Sequence, residues 1–172
     1  MLSKKMADAL NEQMNKEIYS AYLYMSMSAF SNYLGLKGFA NWFMVQYQEE
    51  MSHAMKFYGY IIDQGEQVRL KSIEEPPADF KSPTDMFQRT LKHEQFVTKC
   101  INELVDLSIK EKDHATNIFL QWYVTEQIEE EGNDNDIIAK LKLVGDKGDG
   151  LLMLDKELAT RVFTPPATAK ED

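Results

Sequence analysis

Glu50 and His53 stand three residues apart in the stretch Gln48-Glu49-Glu50-Met51-Ser52-His53, and a carboxylate and an imidazole at positions i and i+3 share one face of a helix. Both can reach a single cation. Alone the pair has little weight, because a surface acid and a surface histidine give the same pattern. Three further acids change that. Glu17, Glu94 and Glu130 each fall inside an apolar stripe of helical spacing elsewhere in the chain. A glutamate in such a stripe is costly unless it is paired or takes up a proton. No lysine or arginine occupies the stripes at that level, so multivalent cations are the natural counter-charge. The alternative is four acids that bend outward or pair with amides. Carboxylates with one imidazole per site suit iron or manganese better than the nitrogen and sulfur sets zinc prefers, although zinc can still bind by affinity order. Two divalent ions bridged by one carboxylate fit the ligand count, and Glu50 is the candidate bridge. Two Fe(II) ions so held would each give one electron to dioxygen or peroxide, which is ferroxidase chemistry.

Four helices must position these groups. From about Ser3 to Tyr33 there is no proline or glycine, and Leu10, Met14, Glu17, Ala21, Tyr24 and Ser28 recur at spacings of three and four. That predicts one face of a long helix. After the turn Gly35-Leu36-Lys37-Gly38, the stripe Phe43, Gln46, Glu50, His53, Phe57 and Tyr60 predicts a second, antiparallel helix up to Gly65. Residues 65–83 hold Pro76, Pro77 and Pro83 without a 3.6 period, and read as a connection. A helix of roughly 28 residues is about 42 Å long, and about 19 extended residues reach ~60 Å. The connection can therefore run the length of a bundle, making helices two and three parallel. Ser82 is a plausible N-cap with Pro83 at the first helical position. Phe87, Leu91, Glu94, Thr98, Ile101 and Val105 mark the third helix, and Phe119, Tyr123, Glu126, Glu130, Ile137 and Leu141 the fourth, with Gly132 suggesting a local bend. Beyond the break at 145–150, Leu151, Leu154, Leu158 and Val162 mark a short fifth helix. The expected fold is all-α: a four-helix bundle with one long crossover between helices two and three, plus a short C-terminal helix. Residues 1–163 read as a single domain, and 164–172 as a flexible tail.

Composition narrows the partners. A formal net charge of −9 argues against nucleic acid and fits a surface or cavity that attracts cations. With Cys100 the one cysteine, no intrachain disulfide or four-cysteine metal site can form, and a reducing compartment is the easier reading. The N-terminus lacks the apolar core of a secretion signal, and no run approaches the ~18 apolar residues of a membrane span. The expected location is cytoplasmic, with no membrane partner.

Glu17 and Tyr24, Glu49-Glu50-x-x-His53, Glu94, and Glu126-Gln127-x-Glu129-Glu130 together make the chain, from Leu2 to about Phe163, resemble the bacterial-type non-haem ferritins. The resemblance implies an iron-storage protein with ferroxidase activity. It assigns a first iron position to Glu17, Glu50 and His53, and a second to Glu50, Glu94 and Glu130 with Gln127 nearby. A third, toward a cavity, takes Glu49, Glu126, Glu129 and Glu130. Tyr24 takes the place of a tyrosine beside the di-iron centre, and its redox role is implied by the resemblance alone. A hollow shell of twenty-four identical chains is implied in the same way. Catalysis would rest on Glu17, Tyr24, Glu50, His53, Glu94 and Glu130.

Two departures bear on neighbouring families. The fourth helix reads Gln127-Ile128-Glu129-Glu130 with no second Glu-x-x-His, so the bacterioferritin pattern fails and no haem is expected, although Met51 and Met55 are haem-ligating residue types. The acids that line threefold channels in animal ferritins are replaced by Asn117-Ile118-Phe119-Leu120-Gln121. A rubrerythrin-type di-iron oxidase or peroxidase is the rival enzyme, weakened by the lack of a CxxC…CxxC module. A metal-free helical scaffold is the non-enzymatic rival. His93 points about 100° from Glu94 and reads as a surface or interhelix residue, and His114 as a helix-terminus residue. Trp122, Tyr123 and the ten methionines read first as packing.

Overall fold

The computed structural model describes residues 2–165 and forms five α-helices. They are α1 (Lys4–Tyr33), α2 (Lys37–Asp63), α3 (Pro83–Glu111), α4 (His114–Val144) and α5 (Asp149–Leu158). The starts are set locally. Ser3 accepts a hydrogen bond from the Met6 amide at 3.0 Å, Ser82 from Asp85 at 3.2 Å with Pro83 following, and Asp113 from Thr116 at 3.0 Å. Each satisfies one of the amides that a helix start leaves free. Helix α4 continues through Gly132 to Val144. No described helix is long and apolar enough to cross a membrane.

The crossover is strapped to α1. Asn11 donates to the Gln67 carbonyl and accepts from the Arg69 amide at 2.6 Å; Asn15 does the same one turn on, with Arg69 and Lys71; Ser26 reaches the Pro77 carbonyl at 2.7 Å. The segment thus climbs α1 from its first third to its last, so α3 starts at the end of the bundle where α2 also starts. Helices α2 and α3 are parallel, as the length of the connection predicts.

Two apolar clusters fill the bundle on either side of the acid level. One contains Tyr24, Phe39, Trp42, Phe43, Phe87, Ile137 and the α5 leucines; the other contains Leu10, Met14, Phe57, Ile61, Ile101, Leu120 and Tyr123. Helix α5 docks on the start of α2. A side chain on Gly38 would meet the Asp155 carbonyl at 1.6 Å, so only glycine admits this approach. Asp155 in turn accepts from the amides of Gly38 and Phe39 at 2.8 and 3.0 Å, supplying the cap that Leu36 cannot. The expected stripe on α5 is corrected at one residue. Val162 lies beyond the helix and is 77% exposed, because the Asn41 amide holds the carbonyls of Leu158 and Arg161 and draws the chain out of the helix across α2. The expected tail at 164–172 lies mostly outside the described residues.

Candidate metal centre

The four helices bring Glu17, Glu50, His53, Glu94 and Glu130 to one level, each between 1% and 4% exposed. One oxygen of Glu17, one of Glu50 and a nitrogen of His53 lie within 4.8 Å of one another, and so do ligand atoms of His53, Glu126 and Glu130. The imidazole stands between the two groups: Nδ1 is 3.6 Å from Glu50 Oε2 and Nε2 is 3.7 Å from Glu126 Oε1. The expectation gave His53 to the first position; its second nitrogen also faces the acids expected at the third. Tyr123 fixes the backbone here by donating to the His53 carbonyl at 2.8 Å.

Neutral groups orient the carboxylates. Tyr24 donates to Glu94 Oε1, Gln127 donates to Glu94 Oε2 at 3.0 Å, Gln46 to Glu130 at 2.9 Å, and Gln13 to Glu17 at 2.8 Å. Neither Gln13 nor Gln46 was read from the sequence as a donor to the site: Gln13 sits four residues before the acid it serves, the spacing at which side chains meet on a helix, whereas Gln46, a member of the α2 stripe, reaches across to Glu130 on α4. No lysine or arginine ion pair reaches Glu17, Glu50, Glu94 or Glu130 among the described residues.

The electrostatic cost is visible in the ionisation of the site. Burial, then the charge of Glu94, pushes the Glu50 carboxyl well above the usual range. Glu94 rises through burial against the bonds from Tyr24 and Gln127, and Glu130 is pushed up to about 8 by burial and then Glu94. Burial would lower the His53 pKa, but the carboxylates of Glu126 and Glu50 that face its two nitrogens override it and hold the imidazole well above its ordinary value. Burial and then the Glu94 charge keep the Tyr24 phenol protonated, so it donates rather than accepts. Such a cluster is short of positive charge, and Glu50 Oε2 is a buried oxygen with no hydrogen-bond donor. That orphaned oxygen, between His53 and the neighbouring acids, fits divalent cations.

Asp134 is a residue the sequence reading missed. It lies one turn after Glu130, is buried, and has no partner on either oxygen. Burial, then Glu94 and Glu130, push it up to about 9.

The outer acids sit differently. Glu49 and Glu126 are 21% and 26% exposed, and Glu129 is exposed. Their fields reach one another, since Glu126 and Glu129 both oppose ionisation of Glu49 after burial does. Among the described residues, Glu49 alone of these pairs with an arginine or lysine, the Arg161 guanidinium, at 2.7 Å. His93 is an interhelix residue as expected: Nε2 is 2.8 Å from Ser20 Oγ, the ring packs on Tyr19 and Tyr24, and burial lowers its pKa to about 4. His114 opens α4. Trp122 stands edge-on to His53 at 5.2 Å, with Lys56 over its ring at 4.3 Å.

Comparison with known proteins agrees with this geometry. The model of the ferritin-like domain matches residues 7–144. A bacterial non-heme ferritin of Escherichia coli O157:H7 is 45% identical over 160 residues, covering 93% of this chain and 97% of its own. That of Campylobacter jejuni is 44% identical over 156 residues, covering 91% and 93%. Among solved structures, the open pore ferritin of the archaeon Archaeoglobus fulgidus superposes with a TM-score of 0.93 at 51% identity, covering 94% of this chain and all of that one. Its engineered closed form gives 0.94 at 52% identity, covering 95% and 100%. With most of its length matched at these identities, and with carboxylates from all four helices converging as they do, the chain belongs to the ferritin-like family, among the bacterial non-haem ferritins.

Proposed function

We propose that this chain is an iron-storage ferroxidase that oxidises Fe(II) within each subunit and deposits ferric mineral inside a shell of identical copies. The observation that carries the reading is the buried carboxylate cluster. Glu17, Glu50, His53, Glu94 and Glu130 converge from four helices with no lysine or arginine paired to the acids among the described residues, and one Glu50 oxygen is left free between them. Glu17, Glu50 and His53 hold one Fe(II), and Glu50, Glu94 and Glu130 hold the second with Gln127 beside it. Glu50 is common to both, which places the two ions close enough for each to give one electron to the same oxidant. Two Fe(II) become two Fe(III) as dioxygen takes up two electrons and two protons to give hydrogen peroxide; peroxide as oxidant is reduced to water. The protein fixes the carboxylates and leaves open positions for the oxidant. Tyr24, Gln127, Gln46 and Gln13 hold the carboxylates in place, as hydrogen-bonded neighbours of metal ligands do.

Glu49, Glu126, Glu129 and Glu130 form a third, more open cation position through which oxidised iron leaves for the cavity. Twenty-four chains of 19.9 kDa give a particle of roughly 480 kDa. The test is aerobic addition of Fe(II) well beyond the number of coordination positions, followed by iron per chain and particle mass. Storage gives far more iron than ligands, held in the large particle. Retention of only about two or three irons per chain in a small particle would overturn it in favour of a di-iron oxidase.

A further inference from the structure

Among the described residues, Arg161 is the one arginine or lysine paired with the outer acids. Its position is built by the fold: Asp155 caps α2, Asn41 holds the Arg161 carbonyl at 2.9 Å, and the guanidinium lies 4.6 Å over the Trp42 ring. From there Nη2 donates to Glu49 Oε2 at 2.7 Å, while Nη1 is buried with no acceptor. An arginine engages best with both prongs of its fork. Here one prong is satisfied and the other is not, so the guanidinium neutralises Glu49 without being locked to it. A cavity of about 260 Å³ adjoins it, lined by Asn133, Asp136, Lys140 and Glu157 among others; Lys140 already pairs with Glu157, which leaves Asp136 as the acid for the guanidinium to move toward.

We propose that Arg161 is an internal counter-cation occupying Glu49, and that a metal ion binds the outer position by displacing it. The exchange swaps one cation for another with no bond chemistry: the metal takes the Glu49 carboxylate, and the guanidinium turns into the Asp136 cavity. Arg161 thereby sets how tightly the outer position holds iron, keeping it weaker than the enclosed pair so that iron passes through rather than resting there. This rests on the proposed third position and refines it. Arg161 acts through Glu49 and is a positioning residue.

The test uses the assembled protein and Zn(II) alone, which binds without redox change. Calorimetric titration of the wild type is expected to show two tighter ions per chain and one weaker. Arg161→Gln is expected to tighten the weaker ion about tenfold, the order of one charge-assisted hydrogen bond removed from competition, and to leave the two tighter ions as they are. Glu49→Gln is expected to abolish the weaker ion, and the double variant to recover none of it. A second readout follows Trp42: with Trp122→Phe as background it is the only tryptophan, and its fluorescence should change as the third Zn(II) binds, an effect absent from Arg161→Gln. Unchanged or weakened outer binding in a folded Arg161→Gln particle overturns the proposal. So does wild-type protein that binds two ions only, an outcome that leaves the di-iron reading standing. Loss of all binding would instead remove that reading itself.

Discussion

The inner and outer acids of this bundle are the same residue type in opposite circumstances. Inside, Glu17, Glu94 and Glu130 accept from phenol or amide donors, and Glu50 keeps a free oxygen. Those donors fix geometry but bring no charge. At the rim, Glu49 is half-buried and meets a full cation in Arg161, while Glu129 stands in solvent. A carboxylate held by neutral donors retains its demand for a cation; one already paired binds another only by exchange. The difference separates a place where ions are held from a place where they pass.

The sharpest attempt to break that contrast is Glu50→Ala. Removing the shared carboxylate is expected to slow Fe(III) formation, measured at two Fe(II) per chain, by roughly hundredfold or more, at or beyond the top of the range for losing a single supporting group. The same change removes a buried acid with an orphaned oxygen and is expected to stabilise the metal-free protein by about 1–3 kcal/mol. Faster unfolding of the metal-free variant, or an unchanged oxidation rate, would contradict the inner assignment.

The second prediction concerns pH. Glu130 and Asp134 have folded pKa values raised to about 8 and about 9, from ordinary values of 4.5 and 3.8. A raised folded pKa means the folded state holds its proton longer than the unfolded state. Stability from these groups is therefore complete below their ordinary values and is lost as pH rises through about 8 to 9, by at most about 1.4 kcal/mol per pH unit for each group. Thermal melts of the metal-free protein between pH 5 and 9 should fall in midpoint, and Asp134→Asn should flatten the slope. Loading with Zn(II) should flatten it too, because the cation supplies the missing charge. Glu49 at the rim, whose carboxyl burial also raises despite Arg161, adds a slope of the same sign.

Much of this was legible in the sequence, for physical reasons. The helices announce themselves through 3.6-residue stripes bounded by glycine and proline, and Glu17, Glu50, His53, Glu94 and Glu130 stand out because charge inside an apolar stripe is costly. Asp134 carried the same signal, four residues after Glu130 and three before Ile137. It was hidden in the polar run Gly132-Asn133-Asp134-Asn135-Asp136, which reads as solvated until the neighbouring helices cover its third residue. The end of α5 was not legible because Asn41, more than a hundred residues away, decides it. The pairing of Arg161 with Glu49 spans 112 residues, and no local pattern encodes it.

Gln46→Leu tests whether neutral donors matter inside. Glu130 would lose its amide donor, and the leucine would remove the unpartnered Gln46 Oε1 as well. The expected result is a roughly tenfold loss of affinity for one of the two inner ions in a Zn(II) titration, the lower end of the range for removing a group that orients a ligand. Little change in the melting temperature should accompany it, since one satisfied and one unsatisfied polar atom leave together. A loss shared equally by both ions would mean that Glu130 is not specific to one.

The smallest effect belongs to Glu129, where the rim meets solvent. An exposed carboxylate interacts through a medium of high dielectric and is screened by salt, so Glu129→Gln is expected to weaken the outermost Zn(II) only about twofold, in the range of an exposed ion pair. That small effect should vanish at 1 M salt, whereas the effect of Glu49→Gln, a half-buried group, should persist. Equal salt dependence for the two variants would erase the distinction between holding and passing at its outer edge, and would make the rim one uniformly solvated acidic surface rather than a graded path out of the bundle.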